Sequence, residues 1–193
     1  MSETAPRRGR PRAFDPEVAL KKASDAFKAQ GYAATSLDDI ARATGLNRPS
    51  LYAAFGDKKA LYVAALERLW TAIDKQFAAL EAADLPLKES VARILRGSID
   101  AYTAGPSPQG CLAICTATAE APNEPDIRDA LDRVLALMDE RIARFYARAG
   151  DNDAQGKAHL LAGVLHSMSV RARAGQPREV LERMAQAALA TLA

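Results

Sequence analysis

The chain has 193 residues, of which 49% are hydrophobic and 26% charged, with a formal net charge of +2; this is the balance of soluble globular proteins and gives ample material for a core. Only two cysteines occur, Cys111 and Cys115, which excludes a disulfide scaffold as the organising principle. No apolar run approaches the ~20 residues that span a bilayer, and the basic start lacks the apolar region of a secretory signal, so the expected location is cytoplasmic.

Charge is uneven along the chain. Residues 1–60 hold 11 Lys or Arg against 7 Asp or Glu, and the remainder 15 against 17. Residues 1–13 are polar and proline-broken and are expected to be disordered. Arg7, Arg8, Arg10 and Arg12 surround Gly9 and Pro11 there. They are either a solubilising tail or an extended arm suited to a narrow minor groove, and their place just ahead of the basic helices favours the arm.

The first helix is predicted to open at Asp15-Pro16 and run to about Gln30, burying Val18, Ala19, Ala23, Ala26 and Phe27. Gly31 ends it. A second helix follows the N-cap Ser36, with Asp38 and Asp39 in its first turn and Leu37, Ile40 and Ala41 on one face. Gly45 supplies a left-handed stop and Leu46 tucks back into the core. A third begins at Asn47 or Arg48, with Pro49 near its first position. Two helices joined this tightly form a helix-turn-helix, whose second member points its N-terminal end into the major groove. Arg48 can pair with guanine and Asn47 with adenine. Ser50 and Tyr52 share that helix, and Lys58 and Lys59 beyond it are placed for phosphates. Periodicity and turn chemistry alone also allow an ordinary helical hairpin whose polar face meets water.

Further helices are expected from about Lys58 to before Asp84, Leu87 to Ala104, Pro125 to Ala149, Ala154 to Ala174 and Pro177 to Leu192. The stretch Gly110–Glu120, apolar on nearly every face, is predicted to be a buried helix. Inward residues include Trp70, Phe77, Tyr102, Phe145, Leu160, Leu161 and Leu181. The small residues Ala162, Gly163, Ala185 and Ala188 would let helices approach closely.

The run Thr35-Ser-Leu-Asp-Asp-Ile-Ala-Arg-Ala-Thr-Gly-Leu-Asn-Arg-Pro-Ser-Leu-Tyr-Ala-Ala-Phe-Gly-Asp-Lys-Lys-Ala-Leu61, with Phe27, Gly31 and Tyr32 upstream, resembles the DNA-binding domain of the TetR family of bacterial transcriptional regulators. The resemblance implies an all-α protein of about nine helices. A basic arm (1–13) precedes a three-helix helix-turn-helix domain (14–60), and a helical ligand-binding and dimerisation domain follows (61–193). It implies a homodimer formed through the last two helices and reading a palindromic operator, and it supports Thr35 and Ser36 as hydroxyl donors to phosphate. Release by a ligand would make the protein a repressor.

The same resemblance places a ligand pocket in the C-terminal body, with Tyr62, Leu66, Trp70, Tyr102, Cys111, Cys115, Met138, Phe145 and His166 as its anticipated wall. The set leans apolar, which suits a small apolar or electrophilic ligand. Gly110-Cys111-Leu112 resembles a subgroup in which a cysteine at this place responds to oxidants or electrophiles. A helix N-terminus would depress its pKa and favour thiolate, although a buried structural cysteine is the plainer alternative. Cys115 lies one turn on, too far for a disulfide in an intact helix. A metal site completed by His159 or His166 is a third option, but nothing in the sequence brings those ligands together; no metal or cofactor is expected. The chain lacks a glycine-rich phosphate loop, a nucleophile elbow and a His-Glu-x-x-His motif, so it is not read as an enzyme. The other class of function considered is a metal- or small-molecule-binding sensor acting as an activator or a chromosome-structural protein.

Overall fold

The computed structural model describes residues 14–105 and 109–193; the arginines at 7, 8, 10 and 12 lie outside them. The described residues form nine α-helices and one π-helical turn, with no strand among them. Capping chemistry sets the first boundaries. Helix α1 (Pro16–Gln30) starts where the Asp15 carboxylate accepts from the Glu17 N–H. Helix α2 (Leu37–Thr44) opens on a reciprocal capping box between Ser36 and Asp39, and stops at Gly45, whose φ of 76° is the left-handed stop that only glycine adopts cheaply. In α3 (Arg48–Phe55) the Asn47 side chain accepts from the Ser50 N–H. The long α4 (Lys58–Ala82) is capped by Asp57.

The body comprises α5 (Leu87–Tyr102), a π turn at Ala113–Ala117 leading into the single turn α6 (Thr118–Glu120), α7 (Pro125–Arg148), α8 (Ala154–Arg173) and α9 (Arg178–Leu192). The expected single helix over 110–120 is therefore corrected. Gly110, at φ 66°, packs so tightly that a Cβ would lie 2.4 Å from the Ser169 carbonyl oxygen and 2.7 Å from the Cys115 sulfur. That approach pins the start of the segment, and the π turn follows it in the chain.

Two apolar clusters hold the molecule. One joins Phe27 of α1, Ile40 of α2, Leu51 of α3 and Tyr62 and Leu66 of α4 to Leu112, Ala113 and Ala117 of the π segment and Ile127 and Leu131 of α7. The other packs Phe77, Leu95, Tyr102, Phe145, Tyr146, Leu161, Leu165, Met168 and Leu181. Phe27 stands edge-on to Tyr62, with ring centroids 4.9 Å apart, a favoured aromatic geometry. The helix-turn-helix thus shares its core with the π segment and α7, with no solvent seam at residue 60. Ion pairs follow α4 along α7: Lys59 to Asp126, Glu67 to Arg133, Asp74 and Glu81 to Arg141, Asp84 to Arg148.

Several expected core positions face outward. Val18, Trp70 and Leu160 are exposed, whereas Tyr146, Leu137 and Ala130 are buried. Ala162 and Ala188 are buried in the protomer's own core, so of the small residues only Gly163 and Ala185 keep surface for a neighbour.

Candidate nucleic-acid interface and sensor core

The helix-turn-helix presents the N-terminal end of α3 to solvent. Asn47, Arg48 and Tyr52 are exposed and Ser50 is half-buried. Tyr52 is 51% exposed, which leaves a large ring facing solvent. Asn47 spends its side-chain oxygen on the helix cap, so only its amide NH2 remains to donate. Arg48 forks onto Asp38, with Nε donating to Oδ1 at 2.6 Å and Nη2 to Oδ2. The Arg48 guanidinium holds the Asp38 carboxyl below its ordinary range.

Two of the anticipated phosphate contacts are corrected. Thr35 is fully buried and its hydroxyl donates to the Gly31 carbonyl at 2.6 Å, satisfying an acceptor at the end of α1. Lys58 donates to the Tyr32 and Thr35 carbonyls, both at 3.0 Å, and its ammonium sits 4.4 Å from the Tyr32 ring centroid. It clamps the start of α4 to the loop between α1 and α2. Ser36 is exposed, with its hydroxyl shared with Asp39. Lys59 pairs with Asp126 at 2.9 Å and Glu124 at 3.5 Å, and these carboxylates push its pKa up.

Of the nine anticipated pocket residues, Tyr62, Tyr102, Cys111 and Cys115 gather at the start of the π segment, while the other five are spread over both core clusters, the surface and α8. Tyr62 and Leu66 are in the first core cluster, Tyr102 and Phe145 in the second with Met138 beside it, and Cys111 borders both. Trp70 is on the surface. His166 is half-buried on α8, and burial lowers its pKa against an opposing effect of Asp139. Two surface clefts lie elsewhere: one of about 680 Å3 between α7 and α8 beside Asp139, Ala143 and Arg144, another of about 370 Å3 beside Lys59, Val63 and Arg133. Among the described residues no three His, Cys, Asp or Glu side chains gather as a metal site would need.

Around the cysteines the arrangement is specific. Ser169 of α8 accepts from the Cys111 N–H at 2.8 Å and lies 3.2 Å from the Cys115 sulfur. Tyr62 and Thr116 join hydroxyls in the same core. Burial is the largest effect on the Cys111 thiol and pushes its pKa up, which corrects the expected depression. Desolvation of the thiolate outweighs the nearby backbone N–H groups of Ala113 and Ile114. One turn beyond Ser169, Arg173 donates to the Lys28 carbonyl at the end of α1 at 2.7 Å and reaches the Gln109 carbonyl at 3.4 Å. Lys28 in turn donates to the Ala101 carbonyl of α5. No spacing in the sequence announces Ser169, Arg173 or Asp38, whose partners lie 10 to 145 residues away.

An all-helical body carrying a capped helix-turn-helix, with the recognition end of its second helix exposed, is the architecture of a DNA-binding transcriptional regulator. A family model described as bacterial regulatory proteins, tetR family, matches residues 19–65, and one described as the tetracyclin repressor-like C-terminal domain matches residues 86–192. The chain belongs to the TetR family. It is 34% identical over 190 residues to the HTH-type transcriptional repressor ComR of Escherichia coli K12, covering 92% of this chain and 89% of that one. The repressor BdcR of the same organism is 29% identical, with 90% and 86% covered. A cysteine mutant of the TetR family regulator CifR, in complex with a 26 bp double-strand operator DNA, superposes with a TM-score of 0.81 at 34% identity, covering 95% of this chain and all of that one.

Proposed function

We propose that the protein is a homodimeric repressor that holds a palindromic operator and releases it when the body is perturbed at the Cys111–Ala117 segment by a small apolar or electrophilic ligand, or by modification of Cys111. The basic arm (1–13) and the helix-turn-helix (14–60) act on DNA, and residues 61–193 sense and dimerise. Arg48, Asn47, Ser50 and Tyr52 meet the groove, Ser36 and Lys59 the backbone, with the four arginines of the arm alongside. The relatives named as repressors and the operator complex of the CifR mutant support the DNA activity. Dimerisation rests on α8, which leaves Leu160 61% and Val170 53% exposed with exposed Gly163 between them, an apolar stripe that water disfavours.

The observation that carries the release step is the junction on α8. Ser169 holds both cysteines while Arg173, on the next turn, holds the end of α1. A group added at the half-buried Cys111 lies next to the backbone N–H that Ser169 holds, so displacing that N–H would shift α8 or the π turn and pull on the head. The test measures binding of the purified protein to DNA upstream of its own gene, before and after methylglyoxal or a quinone. Loss of binding on treatment, with retention in Cys111→Ser, is the expected result. Binding indifferent to treatment in the wild type sinks the cysteine route.

A further inference from the structure

Asp38 poses a problem for a DNA-facing surface. It is exposed in the first turn of α2, where its carboxylate would meet the phosphate field of a bound duplex unfavourably. Its neighbour Asp39 explains itself, since it closes the capping box with Ser36 and pairs with Arg42 at 3.1 Å. Asp38 does neither. Its two oxygens instead take the Nε and Nη2 edge of Arg48 on α3.

That edge matters because a guanidinium has two. The side edge, Nε with one Nη2 hydrogen, is the one Asp38 occupies. The end edge, the second Nη2 hydrogen with Nη1, is left free, and Nη1 has no hydrogen-bond partner among the described residues. Two parallel N–H donors at that spacing match the O6 and N7 acceptors of guanine in the major groove. A carboxylate fork fixes the plane and direction of a side chain that otherwise has several rotatable bonds, so less freedom is lost when the base is met. Arg48 begins the recognition helix, the end that enters the groove.

We infer that Asp38 is a specificity-determining residue: it aims Arg48 so that the free edge of the guanidinium reads one guanine in each operator half-site. The inference rests on α3 being the DNA-reading helix. Removing Asp38 then has two effects of opposite sign. Binding to random-sequence duplex holds or tightens because a negative charge leaves the surface, while preference for the guanine falls.

The experiment uses the full-length protein and a pool of randomised duplexes, sequenced before and after capture, with affinity for one random duplex measured at the same salt. Wild type is expected to select a G·C pair in each half-site, and Arg48→Ala to lose that selection. Asp38→Ala should keep the position but flatten its preference by about 5- to 30-fold, within the range one bidentate base contact supplies, with random-duplex affinity equal to or above wild type. Replacing the selected guanine by 7-deazaguanine should weaken wild type and leave Arg48→Ala unaffected. The inference is overturned if Asp38→Ala keeps the full guanine preference, if it weakens selected and random duplexes by one common factor, or if the guanine survives in Arg48→Ala. A wild type that selects no sequence overturns the DNA-reading assignment itself.

Discussion

Lys58 gives the sharpest separation between a residue that touches DNA and one that builds the surface that does. Changing it to Met keeps the aliphatic stem and removes the ammonium. Two hydrogen bonds from a charged donor are lost, each about 1.5–3 kcal/mol when fully buried, together with a cation–π contact of about 0.5–1 kcal/mol. Lys58 is half-buried, so water replaces part of this and the net loss is about 2 kcal/mol. For a chain of this length that lowers Tm by about 4–8 °C. DNA affinity should fall through a loosened head, for operator and random duplex alike. The slope of log K against log salt should stay unchanged because no phosphate contact is removed. Thermal unfolding and a salt titration of binding check both halves. An unaltered Tm with a slope reduced by about one per head would make Lys58 a phosphate ligand and refute the clamp.

Leu160→Glu combined with Val170→Glu should give a monomer by light scattering, with operator affinity lower by about two orders of magnitude as the second head is lost; a dimer surviving both changes would place the interface elsewhere. Tyr146 is fully buried and its hydroxyl has no hydrogen-bond partner among the described residues, so Tyr146→Phe should be neutral or stabilising by about 1 kcal/mol in urea unfolding, and clear destabilisation would contradict this. The raised Cys111 pKa means the fold favours the thiol form, so this group's contribution to stability is intact below the unfolded thiol value and is lost as pH rises through the folded one. Alkylation of Cys111 in a Cys115→Ser background should accordingly keep accelerating past the pH at which free cysteine levels off; a plateau below that pH would contradict the burial argument. Arg173→Gln should leave Cys111 alkylation intact while removing its effect on hydrogen exchange in the last turn of α1, and an unchanged effect would rule out the α8 junction as the route.

The helix boundaries were legible because each rests on local chemistry. Asp15 with Pro16, Ser36 with Asp39, Gly45 and Asn47 carry their signals within four residues. The all-α fold and the helix-turn-helix followed from those signals and from the run of motif residues around Gly45. Side-chain fates were less legible. Val18 and Trp70 are apolar residues at the margin of an inward stripe, where a small rotation of the helix decides between core and water. Thr35 and Lys58 look like phosphate ligands by type, yet the carbonyls of Gly31, Tyr32 and Thr35 claim them, and those carbonyls are presented to them only once the loop has folded. Gly110 meets Ser169 across 59 positions of chain beside the π turn, an approach that no local pattern encodes. The direction of the Cys111 pKa is lost for the same reason, since desolvation is set by the core that surrounds the thiol and not by its place on a helix.

The DNA-binding claim is tested most directly by titrating the full-length protein, at one fixed salt concentration, against the duplex upstream of its own gene and a scrambled duplex of equal composition, with stoichiometry read from the mass of the complex. A specific regulator should prefer its site by about 10³-fold or more, with two chains per palindrome. Equal affinity for both duplexes, or saturation at one chain per site, would contradict it.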